Sequence, residues 1–151
     1  MMSIEPGLLD ANILVYAMDT GAAQHRASLG LLEAASDSAT VLYVSSQVLC
    51  EFYSIVTNPR RIAAPYSPSE ALEAISALLA LPGIHVLPTP VQAVSGWMAL
   101  LQRHPVTGAD VFDLQLVATM QAHNVQRIYT FNTADFEVFP ELTVIAPREA
   151  A

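Results

Sequence analysis

Short apolar runs of strand length alternate with longer stretches of helical periodicity along the whole chain, and that alternation points to an α/β fold. Residues 7–16 begin with Leu8 and Leu9 and read as a first strand reaching Asp10, then a turn into Ile13, Leu14 and Val15. Residues 24–35 carry Leu29, Leu31 and Leu32 and read as a helix. Residues 41–44 form a second strand, after which Ser45 and Ser46 can cap a helix holding Val48, Leu49, Phe52, Ile55 and Val56. Asn58-Pro59 should end that helix, because the residue before proline avoids the helical region.

The next helix has a clear start in Ser67-Pro68-Ser69-Glu70: a serine cap, proline at the first helical position and glutamate three residues past the cap. Leu72, Ile75, Leu78 and Leu79 mark one face of it, and Pro82-Gly83 stops it. A third strand is expected at Ile84–Leu87. A helix follows over residues 91–102, with Val94, Trp97, Met98 and Leu101 inward. Residues 113–123 give another helix, with Leu114, Val117 and Met120 on one side. Strands over residues 127–131 and 142–145 complete the pattern. With 151 residues and no repeat, low-complexity tract or linker, the expectation is one domain spanning 1–151.

The hydrophobic fraction, 53%, raises the question of a membrane span. The longest candidate, residues 71–87, is interrupted by Glu73, Pro82, Gly83 and His85, short of the roughly 18 apolar residues a span needs. The first residues lack the basic region and long apolar segment of a signal peptide. The single cysteine, Cys50, allows no internal disulfide. A cytoplasmic protein is the expectation.

Formal net charge is −8, and all six cations are arginines: Arg26, Arg60, Arg61, Arg103, Arg127 and Arg148. A chain without lysine has no P-loop lysine and no Schiff-base lysine. Its acidity also argues against strong non-specific DNA binding, which needs a basic surface. If nucleic acid is the substrate, positive charge must come from elsewhere, and a divalent cation held by carboxylates would supply it. Excess acid that only maintains solubility is the competing explanation.

Asp10 follows the first strand, Glu51 lies on the helix after the second, Asp113 opens a helix, and Asp135 follows the fourth strand. Open parallel sheets gather ligands at the carboxyl ends of their strands, so these acids should approach one edge. Gathered without lysine partners, they would repel one another and raise some pKa values. A hard cation such as Mg²⁺ or Mn²⁺ relieves that repulsion and suits phosphodiester hydrolysis. Each acid also has an ordinary explanation. Asp10 could serve a turn or cap, Glu51 could face solvent, and Asp113 could be a helix cap. Asp110 reads as a loop or capping residue.

In the same order, several segments resemble the PIN-domain family, particularly bacterial toxin ribonucleases of the VapC type. They are Leu8-Leu9-Asp10-Ala11-Asn12-Ile13-Leu14, Ser46-Gln47-Val48-Leu49-Cys50-Glu51-Phe52 and Val56-Thr57-Asn58-Pro59. Phe112-Asp113-Leu114-Gln115-Leu116-Val117-Ala118, Tyr129-Thr130-Phe131-Asn132-Thr133-Ala134-Asp135-Phe136 and Phe139-Pro140-Glu141-Leu142-Thr143-Val144-Ile145 follow. The first motif is weak alone; the ordered set is specific and spans nearly the whole chain.

The resemblance implies a three-layer α/β/α sandwich with a mostly parallel sheet and an acidic Mg²⁺ pocket. It assigns Asp10, Glu51 and Asp113 as catalytic, metal-holding acids, with Asp135 as a fourth acting through water. Asn12 would brace the Asp10 loop, and Thr130 and Asn132 would hydrogen-bond within the pocket. Many relatives carry Asp where this chain has Asn132, which favours one well-held ion over two. An RNA substrate, a homodimer and an antitoxin that fills the pocket, often with an arginine, are also implied.

Arg60, Arg61 and Arg103 are candidate contacts to an RNA backbone, although solvated surface cations explain them better. The apolar face of residues 72–79 suits either an antitoxin groove or the core. His25, His85, His104 and His123 have no close metal-ligand spacing and read as surface or structural residues. Cys50 and Trp97 read as packed core side chains. Two other functions compete with a nuclease. A non-catalytic RNA- or protein-binding scaffold conflicts with the intact acids. A phosphatase using Asp10 as nucleophile would want an acid two residues on and a lysine, whereas position 12 is asparagine.

Overall fold

Gly7, Leu8 and Leu9 are consecutive and all buried, so β1 (Gly7–Leu9) is covered on both faces, as a central parallel strand requires. The computed structural model describes residues 3–149. Around β1 lie β2 (Leu42–Ser45), β3 (Ile84–Leu87), β4 (Arg127–Tyr129) and β5 (Thr143–Ile145), in the order β3-β2-β1-β4-β5. Every pairing is parallel, and β1 is in register with β4 through Leu8 opposite Ile128 and Leu9 opposite Tyr129.

Helices α1 (Ala11–Ala17), α2 (His25–Ala34), α3 (Ser46–Val56) and α4 (Pro68–Leu79) connect β1 to β2 to β3. Helices α5 (Gln92–Arg103) and α6 (Val111–Ala122) return the chain from β3 to β4, and α7 (Thr133–Phe136) leads to β5. Right-handed crossovers that step one way and then the other place the two sets on opposite faces, giving the three-layer α/β/α sandwich. The packing agrees, with α1 against α2 and α3, α3 against α4, and α5 against α6.

Local chemistry sets the helix starts. The Ser45 hydroxyl accepts from the Val48 N–H at 3.3 Å. Ser67 and Glu70 form the reciprocal capping box, at 3.0 and 3.2 Å. Most of α6 from Leu114 to Met120 is buried, because the helix lies between the sheet and α5.

Several expectations change here. No turn separates Asp10 from Ile13, Leu14 and Val15: α1 starts at Ala11, because the Asp10 side chain caps it there and its apolar face reaches the core. Val94 and Met98 are about half exposed, at 50% and 53%, while Ala93 and Leu100 are buried. The cause is a close approach at Gly96, where an added Cβ would stand 3.1 Å from the Ala118 Cβ. The small-residue side of α5 therefore faces α6, and Trp97 is only partly buried against the core. On α4, Ala71 and Leu78 go inward, leaving Leu72 and Leu79 exposed. Cys50 is exposed, because Val48, Phe52 and Val56 take the core side of α3. Among the described residues, no helix is long and apolar enough to cross a membrane.

Gly83 illustrates how tightly the turn into β3 is closed. Its N–H donates to Ala35 O at 2.7 Å and its carbonyl accepts from Leu42 N at 2.8 Å. A Cβ there would meet Ala35 O at 2.8 Å, with Ala35 Cα and Thr40 O at 2.9 Å, all backbone atoms that cannot swing aside. Gly83→Ala is expected to lower unfolding free energy by about 1–3 kcal/mol, measured by urea denaturation. An unchanged midpoint would show that the turn has slack.

Candidate functional site

The last paired residues of the central strands are Leu9 and Tyr129, so Asp10 and Thr130 leave the sheet side by side at its carboxyl edge. This is also where the strand order reverses, and the neighbouring connections diverge there to open a crevice. The Asp10 N–H donates to Tyr129 O at 3.0 Å. The carboxylate of Asp10 is then fixed from several directions. Its Oδ1 accepts from the Ala11 N–H at 2.8 Å, and Oδ2 accepts from the Thr130 hydroxyl at 2.8 Å and the Asn12 amide at 3.2 Å.

Thr130 is fully buried and its hydroxyl is fully used. It donates to Asp10 while accepting from the Asn12 amide at 3.2 Å and the Asn132 backbone N–H at 3.0 Å. Asn12 Oδ1 in turn accepts from the Phe131 N–H at 3.2 Å, tying the start of α1 to the segment after β4. Asp10 thus caps α1 and also presents a carboxylate to the crevice.

Asp10, Glu51, Asp113 and Asp135 line one cleft of about 270 Å³, together with Asn12, Asn132, Ser54 and Arg61. Glu51 comes from α3 and Asp113 from the first turn of α6, which starts at Val111, so Asp113 lies inside the helix and does not cap it. Asp135 is carried by α7. Gln47 bridges two of these elements, donating to Phe112 O at 2.7 Å and more loosely to Glu51 Oε1 at 3.5 Å. Nothing in the sequence assigned that role to Gln47 beyond its position one helical turn before Glu51.

Electrostatics in the cleft are strained by like charge. Asp113 is pushed up to about 7, by burial first and then by the charges of Asp135, Asp10, Glu51 and Asp110. Burial raises Asp10, against the lowering effect of its bonds from Thr130, Ala11 and Asn12, and Asp135 adds to the rise. Burial and then the Asp10 charge raise Glu51, with Gln47 opposing. The donors are all hard oxygens, and their mutual repulsion is what a divalent cation would relieve, so the residues fit Mg²⁺ or Mn²⁺. Among the described residues, no three His, Cys, Asp or Glu side chains are grouped closely enough to hold a metal ion by themselves.

The three arginines separate. Arg60 and Arg61 are both exposed, but only Arg61 lines the cleft, and Arg103 pairs with Glu141 at 3.8 Å. Asp110 ends the 3₁₀ turn Gly108–Asp110 outside the cleft and makes no side-chain cap bond to α6. Two histidines are tied to backbone oxygens, His25 to Tyr16 O at 2.9 Å and His123 to Pro88 O at 2.7 Å. A second concavity of about 260 Å³, around Pro6, Tyr43 and His123 to Arg127, has no carboxylate in its lining.

Comparison with known proteins adds to this geometry. A family model described as PIN domain matches residues 7–142. "Ribonuclease VapC43" of Mycobacterium tuberculosis is 32% identical over 116 residues, covering 77% of this chain and 79% of that protein. Among solved structures, Mycobacterium tuberculosis VapC20, described as a sarcin-ricin loop cleaving toxin, superposes with a TM-score of 0.68 at 17% identity, covering 95% of this chain and 100% of that one. VapBC2 of Rickettsia felis, bound to a DNA fragment from its promoter, gives a TM-score of 0.64 at 19% identity, over 93% of this chain and 98% of that one. At those identities the two structures speak to the fold.

Proposed function

The chain belongs to the PIN-domain family, and from that premise we propose that it is a Mg²⁺-dependent endoribonuclease, the toxin of a toxin–antitoxin pair. The observation that carries this reading is the convergence of Asp10, Glu51, Asp113 and Asp135 on one cleft at the carboxyl edge of the sheet. The ribonuclease named among its relatives supports RNA as the substrate. A cytoplasmic setting, a homodimer and an antitoxin that places a cation in the acidic cleft extend the same proposal.

Asp10 and Asp113 would hold the ion, with Glu51 completing the acidic set and Asp135 acting through water. When bound, Mg²⁺ supplies Lewis acidity and neutralises charge on the phosphodiester. The chain's own residues do the rest. Thr130, Asn12 and the Ala11 N–H fix the direction of the Asp10 carboxylate, so little reorganisation is needed when substrate arrives. Glu51, raised by burial, orients the attacking water and can take its proton. Water adds at phosphorus as the bond to the leaving ribose oxygen breaks, and that oxygen departs with a proton taken from solvent water.

The test is to add purified protein to total cellular RNA with Mg²⁺ or with EDTA and to sequence the new ends. Discrete ends that appear only with Mg²⁺ are expected. RNA retained without any cut in Mg²⁺ or Mn²⁺ would favour a non-catalytic scaffold instead.

A further inference from the structure

Among the described residues that line the acidic cleft, Arg61 is the one cation. It is not in either ion pair of the described residues, which join Arg26 to Glu149 and Arg103 to Glu141. Its guanidinium is therefore not consumed by the carboxylates whose cleft it shares. The backbone holds it at this wall. The Arg61 N–H donates to Asn58 O at 2.9 Å, and the Arg60 N–H to Asn58 Oδ1 at 3.0 Å. The Tyr66 N–H closes the loop onto Val56 O at 2.7 Å. Ser54 lies one helical turn beyond Glu51 on α3 and lines the same wall.

A polyanion approaching a chain of net charge −8 needs a fixed cation beside the acids to set its position. Arginine is suited to this, being permanently charged and able to grip a phosphate through two parallel N–H bonds. We propose that Arg61, with Ser54 of the same cleft, binds a phosphate of the RNA next to the one that is hydrolysed, and so sets which linkage reaches the carboxylates. This assignment rests on the ribonuclease reading of the cleft.

Arg61→Ala and Arg61→Gln should be compared with the wild type on an RNA oligonucleotide containing a mapped cut site, with folding checked by circular dichroism. KM is expected to rise about tenfold with kcat within about twofold, as for loss of a contact made equally in the bound and transition states. The slope of log affinity against log salt should shrink by about 0.7, one single-strand phosphate contact. Arg61→Lys should recover part of the KM, since it restores charge without the fork. Unchanged KM and salt slope in both variants would overturn the proposal, as would a fall in kcat at constant KM, which would put Arg61 at the reacting phosphate. Fluorescence anisotropy with the same RNA in EDTA separates the two readings. If the wild type binds RNA but never cuts it, the ribonuclease reading fails, while equal or weaker binding by Arg61→Ala still decides the phosphate contact.

Discussion

Asp113→Asn is expected to lower kcat/KM for Mg²⁺-dependent RNA cleavage by about 10³-fold or more while the chain stays folded. Asp113 carries the strongest burden of like charge in the cleft, so removing its carboxylate relieves repulsion and leaves stability equal or higher. Asp10→Asn should be as damaging to activity but less clean. The Asp10 carboxylate accepts from the Ala11 N–H, Thr130 and Asn12, and an amide can offer only one oxygen to those donors. That variant should also lose about 1–3 kcal/mol of stability. Because the two acids act as a unit, the double variant should be little worse than the poorer single one. Undiminished cleavage by purified double variant would eliminate the site.

The second large effect is a pH-dependent response to Mg²⁺. The Asp113 carboxyl is pushed up to about 7 in the folded chain, from the ordinary aspartate value of 3.8 that it takes when unfolded. Between those values the folded state holds a proton that the unfolded state has released, so stability falls as pH rises through 7. Asp10 and Glu51 are raised as well and act in the same direction. Glu70 is lowered by its bonds with Ser67 and acts oppositely, but only below the ordinary carboxylate range. The window from pH 5 to 8 therefore isolates the cleft. In EDTA the melting temperature should drop across it. Mg²⁺ at a hundredfold excess over its dissociation constant should add about 2.7 kcal/mol near pH 8, and clearly less at pH 5, where protons compete for the same oxygens. Equal melting curves with Mg²⁺ and EDTA at both pH values would count against cation binding.

How far the sequence reaches can be judged residue by residue. Ser45, Ser67 and Glu70 act within a few positions of themselves, so their capping roles could be read directly. The acids could be placed at one sheet edge because strand ends and crossover rules are local and topological. The partners that aim them are neither, and Thr130 and Asn12 come from the family resemblance, not from spacing. Thr130 meets Asp10 across 120 positions, and Gln47 meets Phe112 across 65. The side-chain faces of α5 depended on the Gly96 contact with Ala118, which hydrophobicity alone points the wrong way. Arg60 and Arg61 are adjacent and chemically identical, and only the turn at Asn58 separates the one in the cleft from the one outside it.

The bond between Asp10 and Thr130 also has a consequence for timing. Chain growth delivers Asp10 and Glu51 well before Thr130, Asn132 and Asp135. Until β4 docks beside β1, the Asp10 carboxylate has only its local bonds from Ala11 and Asn12, and the cleft has only part of its acid set. A nascent chain that stops short of β4 thus holds an unfinished cleft, because the topology closes the site last.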